Sequence, residues 1–337
     1  MKSSSAQHLS ELGEFGLIGR IRERFRAPEG VTGIGDDCAV IPQRSGRDTL
    51  VSTDMLIEGT HFLRADIPPF RLGWKSAAVN ISDIAAMGGS PTATFLSVAL
   101  PADLEAGWME EFLRGYAELS ERFGTALLGG DTTASPDRIC INVAVLGECP
   151  SGSARLRSMA CESDLICVTG CLGDSAGGLK AILEGVERDA DVQALIDRHY
   201  LPLPRVQEGL RLAATPGVHA MMDISDGIGS DLSHILEASS LGAVIDVPSL
   251  PLSPALRRVC TRHGWDAFQL AAGGGEDYEL LFTCTPETEK VLDIPHHVIG
   301  RCTQGDGTTA WRGAGTSICG FDHFRQGRPD AQDSSAR

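Results

Sequence analysis

The chain has 337 residues, 42% of them hydrophobic and 22% charged, which suits a globular protein with room for two cores. A formal net charge of −16 argues against non-specific nucleic-acid binding, because no basic stripe stands out to neutralise phosphates. Polyphosphates remain possible ligands, provided that metal ions mediate.

Residues 1–10 are polar and lack an apolar signal core, and no run reaches the roughly 18 apolar residues of a membrane span. A cytoplasmic protein without a membrane partner is expected. The ten cysteines show no C-x-x-C pair or zinc-like spacing and read as reduced thiols. Only four lysines occur (Lys2, Lys75, Lys180 and Lys290), none after a glycine, so a Walker A loop is excluded.

In chain order, 13–25 carries a helical pattern. Gly33-Ile-Gly35-Asp36-Asp37 then leads into a strand-like run, and Thr49–Met55 forms a second strand carrying Ser52, Thr53 and Asp54, with His61 shortly after. The next helix puts Trp74, Ala77, Ala78, Ile81, Ile84 and Ala85 on one stripe and Ser76, Asn80 and Asp83 on the other. So little of it looks solvated that Asp83 is expected to be at least half-buried and to need a cation or several donors. Gly88, Gly89 and Pro91 stop the helix.

A strand at 92–100 and a helix at 108–123 follow. Ala126-Leu-Leu128-Gly129-Gly130-Asp131-Thr132-Thr133 repeats a grammar of apolar strand, glycine, acid and hydroxyl. After a strand at 139–146, Pro150-Ser151-Gly152-Ser153 is the expected domain boundary. The expected division is 1–149, 150–324 and a disordered polar tail from 325 to 337.

The second half reads as a strand at 164–169, a glycine-rich entry into a helix ending at Leu183, and helical surface segments over 187–217. Then come a strand ending near Asp226, a helix at 231–238, a strand at 243–247 and a helix at 254–263. Gly273-Gly-Gly275-Glu276-Asp277 is read as a tight turn into a strand, a triple glycine alone being weak evidence for the alternative of a phosphate cradle. Lys75 is left open between a solvated partner and a phosphate ligand. Ile-Ser-Asp occurs twice, at 81–83 and 224–226, which suggests two half-sites facing one ligand.

Asp36, Asp37, Asp54, Asp83, Asp131, Asp223 and Asp226 all fall at strand or helix ends beside glycines or hydroxyls, the oxygen-rich setting a hard cation such as Mg2+ requires. The Asp223 segment is not a calcium loop, since its glycine is one place early and position twelve is His234. Gly173-x-Ser175-x-Gly177 fits the nucleophile elbow of an α/β-hydrolase, but no His-Gly-Gly oxyanion loop precedes it.

Taken together and in this order, seven motifs strongly resemble the thiamine-monophosphate kinase family from about Glu14 to Phe324. They are Gly33-Ile-Gly-Asp-Asp-Cys-Ala39, Ser52-Thr-Asp54, Asn80-Ile-Ser-Asp-Ile-Ala-Ala-Met-Gly88, Gly129-Gly-Asp-Thr-Thr133, Val168-Thr-Gly-x-x-Gly-Asp-Ser175, Asp223-Ile-Ser-Asp-Gly227 and Gly274-Gly-Glu-Asp-Tyr-Glu-Leu280. That family shares its fold and ATP use with aminoimidazole ribonucleotide synthetase, selenophosphate synthetase and a hydrogenase maturation protein, the nearest alternatives.

The resemblance implies two α/β domains of α+β-like mixed sheets, the first dimerising through its sheet. It also implies γ-phosphoryl transfer from ATP to thiamine monophosphate with several Mg2+ ions. It makes Asp37, Ser52, Thr53, Asp54, Asp83, Asp131, Asp223 and Asp226 metal-site residues. Gly130, Asp131, Arg157 and Ser225 become ATP contacts, and His61, Glu276 and Phe321 become contacts of the thiamine phosphate. In place of the arginine that many relatives carry after Gly-Gly-Asp-Thr-Thr, this chain has Ala134.

Overall fold

A computed structural model describes Gly30, residues 36–37, 39–42 and 46–313, and Ile318. The helix expected over 13–25, Gly33, Gly35, Phe321 and the tail from 325 lie outside these residues.

The first half builds a five-stranded sheet from β1 (Ala39–Pro42), β2 (Arg47–Ile57), β3 (Ser90–Pro101), β4 (Ala126–Ser135) and β5 (Cys140–Pro150), in the order β1-β2-β5-β3-β4. Only β3 and β4 run parallel, as their connection through a helix requires. In β5 burial alternates residue by residue, Ile141, Val143 and Val145 turning inward. They meet α1 (Pro69–Ala86), which is covered on nearly every side as its apolar stripe and small residues foretell.

Helix α2 (Ala106–Arg122) lies against α1 so closely that a Cβ on Gly73 would stand 1.9 Å from the Phe112 carbonyl oxygen. One on Gly115 would stand 1.8 Å from that of Phe70. Glycine is what lets these two backbones touch.

The second half forms a six-stranded sheet in the order β11-β8-β10-β6-β9-β7. Its strands are β6 (Leu165–Val168), β7 (Val218–Asp223), β8 (Leu241–Asp246), β9 (Leu280–Cys284), β10 (His297–Gln304) and β11 (Thr309–Arg312). All five residues of β9 are buried, as expected of an apolar strand covered on both faces. Helices α3 (Asp174–Leu183), α4 (Ala190–Tyr200), α5 (Val206–Ala214), α6 (Ile228–Ser239), α7 (Pro254–His263) and α8 (Ala267–Gly273) accompany it.

α1 also packs on β7 and α5, and so belongs to both halves. A Cβ on Gly209 of α5 would fall 2.3 Å from the Ala85 carbonyl oxygen, and one on Gly88 2.2 Å from the Ala213 Cβ. The Trp74 indole N–H donates to the Pro202 carbonyl at 2.8 Å, and the Arg155 guanidinium to that of Ala213 at 2.5 Å. Among the described residues no helix is long and apolar enough to cross a membrane.

Candidate functional site

Where α1 crosses from one sheet to the other, the two Ile-Ser-Asp segments meet. The Ser82 hydroxyl, fully buried on α1, donates to Asp223 at the end of β7 at 2.5 Å. On the other side, the Ser52 hydroxyl of β2 donates to Asp83 at 2.5 Å. Asn80 accepts the Asp54 backbone N–H at 3.1 Å and donates to the Ser76 carbonyl at 3.0 Å, which fixes the strand carrying Asp54 to the helix.

Carboxylate oxygens of Asp37, Asp83 and Asp223 lie within 4.8 Å of one another. Arg157 clamps the pair before β1: its backbone N–H donates to Asp36 at 2.7 Å and its guanidinium to Asp37. Asp226 sits half-buried beyond β7, its backbone N–H donating at 3.1 Å to Asp231, which is 1% exposed.

Grouping acids away from water disfavours their charge. Burial first, and then the charge of Asp37, pushes Asp54 up to about 6 and Asp223 up to about 8. Asp83 is raised well above the ordinary carboxylate range by burial and then by Asp54, Asp223 and Asp37. Asp231 is raised too, by burial and then Asp226. Such a cluster is short of positive charge, and its ligand set, carboxylates with hydroxyls alongside, suits Mg2+.

The acids open onto a cavity of about 1340 Å³ that also touches His61, Lys75, Arg157, Ser175, His199, Ser225, Glu276 and Tyr278. At its far end Lys75, 1% exposed, makes an ion pair with Glu276 at 2.9 Å. Burial alone would raise the Glu276 carboxyl, but the Lys75 ammonium beside it outweighs burial and holds the group below its usual range.

Glu276 and Tyr278 adopt positive φ values of 64° and 50°, held by N–H bonds to the Ser225 carbonyl at 2.8 Å and the Ile224 carbonyl at 3.0 Å. A Cβ on Gly275 would meet the Ser225 carbonyl oxygen at 2.3 Å. The triple-glycine turn is thus pressed against the second Ile-Ser-Asp. His61 accepts the Ile57 backbone N–H on Nδ1 at 3.0 Å, so its ring proton sits on Nε2.

Ser175 does not form a hydrolase triad. Its hydroxyl meets His199 Nδ1 at 3.0 Å, and the Glu276 carboxylate faces the same nitrogen at 3.3 Å. A nucleophile and an orienting acid need opposite nitrogens of the ring. Burial, and then Lys75, lowers His199 to about 3, so the contact with Glu276 joins a neutral ring to a carboxylate.

Of the residues singled out from the sequence, Asp36, Asp37, Ser52, Thr53, Asp54, Asp83, Arg157, Asp223, Ser225, Asp226, His61 and Glu276 line this cavity. Thr53, out of phase on β2, turns its exposed hydroxyl to Asn142, from which it accepts at 2.9 Å. Gly130 and Asp131 are not among the residues lining this cavity. The run read as a strand-end loop continues as β4, and in register Asp54 pairs with Val143, Val143 with Leu96 and Leu96 with Gly130. Three strand spacings separate Asp54 from the Gly130 row, roughly 14 Å in a flat sheet.

Lys75, Ser82, His199 and Asp231 were not assigned to the site from the sequence. Ser82 carried a signal in the repeated Ile-Ser-Asp, and Asp231 as an acid five residues after Asp226 in the first turn of a helix.

Residues 35–149 match the model of the AIR synthase related protein N-terminal domain, and residues 162–311 that of the C-terminal domain. A thiamine-monophosphate kinase of Salmonella typhimurium is 42% identical over 289 residues, covering 84% of this chain and 86% of the relative. Among solved structures, one described as AaThiL complexed with AMPPCP and TMP superposes with a TM-score of 0.87 at 35% identity, covering 95% of this chain and all of that one. A hydrogenase maturation protein HypE in complex with ATP shares the fold at a TM-score of 0.65 and 18% identity, over 91% and 92% of the two chains.

Proposed function

The chain belongs to the AIR synthase related family and within it to the thiamine-monophosphate kinases, and from that premise we propose how its two acidic half-sites phosphorylate thiamine monophosphate with ATP. The observation that carries the proposal is the joining of Asp37, Asp83 and Asp223, from both halves of the chain, over one cavity.

Asp37, Asp54, Asp83 and Asp223, with Asp226 beside them, would hold Mg2+. Bound there, the metal would neutralise charge between the triphosphate and the acceptor phosphate. The acceptor is already an anion, so the protein has to position and screen it; no side chain need remove a proton. Transfer is therefore direct and in line.

Ser52 and Ser82 aim Asp83 and Asp223 by donating to them, while Arg157 fixes Asp37 and brings positive charge to the nucleotide side together with Ser225. His61 offers Nε2–H as a donor, and Glu276, steadied by Lys75, faces the organic part of the acceptor. Phe321, outside the described residues, is assigned to the same end of the acceptor.

Asp131 and Gly130 enter through a second copy of the chain. β4 is exposed along nearly its whole length, Leu127 by 44% and Leu128 by 65%, and β1 covers β2 only as far as Val51. Pairing β4 of one subunit with the uncovered half of β2 in the other buries these leucines and brings Asp131 of one copy towards Asp54 of its mate. Leu128→Asp should yield a monomer by light scattering with little turnover; a fully active monomer would refute the shared site.

We set the reaction in the cytoplasm, a reading supported by the eight described cysteines being free thiols. The test of function is ADP release followed with thiamine monophosphate, with an aminoimidazole precursor and with selenide. Release with thiamine monophosphate alone is expected, and release driven by either of the others would overturn the assignment.

A further inference from the structure

At the end of the second sheet remote from the acids, Cys161, Asp164 and His219 converge from two segments far apart in the chain, and each offers a ligand atom within 4.8 Å of the other two. We propose that this triad is a separate binding site for a thiophilic divalent cation, Zn2+ being the best match. It takes no part in the phosphoryl transfer described above.

A turn just ahead of β6 builds it. Ser163, which is not glycine, takes φ +71°, and the turn closes with the Cys161 backbone N–H donating to Asp164 Oδ2 at 2.8 Å. β10 pins the turn from the side. The Ser163 N–H donates to the Cys302 carbonyl at 3.1 Å, and the Cys302 N–H to the Asp164 carbonyl at 2.8 Å. His219, near the start of β7, completes the group with Nδ1 at 3.0 and 2.9 Å from the two Asp164 oxygens.

Asp164 is 2% exposed, His219 half-buried and Cys161 open to solvent, so the site has a rigid floor and an entry path. Four residues of β7, roughly 13 Å, separate His219 from Asp223. The two sites are thus distinct.

The donor set decides which cation fits. Thiolate, imidazole and carboxylate together suit Zn2+, whereas Mg2+ takes oxygen ligands and retains its water. Zinc bonds of about 2.0 to 2.3 Å place ligand atoms roughly 3.5 Å apart. The triad reaches that spacing by side-chain rotation within the pinned turn, and the fourth tetrahedral position remains open to water. Binding releases the Cys161 thiol proton to solvent and moves the His219 ring proton from Nδ1, where it faces Asp164, to Nε2.

The test uses the full chain, stripped with chelator and kept in saturating Mg2+ so that the acid cluster is occupied. Titration with Co2+ should develop a thiolate-to-cobalt charge-transfer absorption, and calorimetry should show a single Zn2+ equivalent. Cys161→Ser should abolish the absorption and weaken Zn2+ by about tenfold or more while leaving kinase turnover in Mg2+ unchanged. His219→Gln should weaken Zn2+ comparably, with unchanged thermal unfolding of the stripped protein showing that it folds. Absence of the band in the parent chain, or equal Zn2+ affinity in Cys161→Ser, would reduce the triad to a hydrogen-bonded turn and overturn the proposal. Zinc binding lost on Asp223→Asn but kept in Cys161→Ser would overturn it as well, by placing the ion among the catalytic acids.

Discussion

Asp223→Asn should stabilise the metal-free protein while destroying its activity. Asp223 is 3% exposed, and burial with the neighbouring charge of Asp37 moves it from 3.8 to about 8. Between those values the unfolded chain has released the proton that the folded chain still holds, so stability falls as pH rises, by about 1.4 kcal/mol per pH unit for a single group. From 3.8 to pH 7 this amounts to roughly 4 kcal/mol, a ceiling because Asp54 and Asp83 share the same titration. Asparagine keeps an oxygen for the Ser82 hydroxyl and carries no charge, so the cost disappears.

Thermal unfolding of both proteins in chelator, from pH 4 to pH 8, measures the effect. The parent chain should lose stability steadily over that window, and the variant should lose much less and unfold several degrees higher at pH 7. A flat profile for the parent, or a variant no more stable than it, would refute the account of the acids as mutually repelling and buried.

Asp83→Asn should lower turnover by several orders of magnitude, since it withdraws a charge from the proposed metal site, whereas Ser175→Ala should be mild; equal losses would return Ser175 to consideration as a nucleophile. Magnesium should raise the unfolding temperature, and magnesium with a non-hydrolysable ATP analogue should raise it further, by a few kcal/mol well above the dissociation constant. Sodium at matched ionic strength giving the same shift would mean the acids are only a screened surface cluster. No label from γ-phosphate should remain on denatured enzyme, and configuration at phosphorus should invert; a labelled protein would replace direct transfer with a covalent intermediate.

α1 could be read in advance because its period leaves one acid opposite an apolar stripe, and that imbalance announces a partner. Asp37 and Asp223 were legible for a related reason, one opening an apolar run after glycines and the other closing one before a serine; Asp54 was legible beside Ser52 and Thr53, although β2 runs on past it to Ile57 instead of ending there. The same grammar misled at Gly129-Gly130-Asp131. There the chain continues as β4 because parallel pairing with β3 holds it as far as Ser135, which no local pattern reports. Lys75 was ambiguous because a lysine on a small-residue helix is equally at home in water. Its partner Glu276 lies 201 positions away, and only tertiary packing brings the two together. The seven-residue α8 and the strands β10 and β11 escaped for want of length or alternation. α8 merges into the glycines that follow it, and β11 has only four residues.

The glycine seam between α1 and α5 bears on how the catalyst spends its time. Backbones that touch at Gly209 and Ala85, with Gly88 against Ala213, leave no slack for one half to swing away from the other. Phosphotransferases that open and shut a cleft use part of the nucleotide's binding energy on that motion. Here the acids from the two halves are already in register, so that energy remains for the transition state.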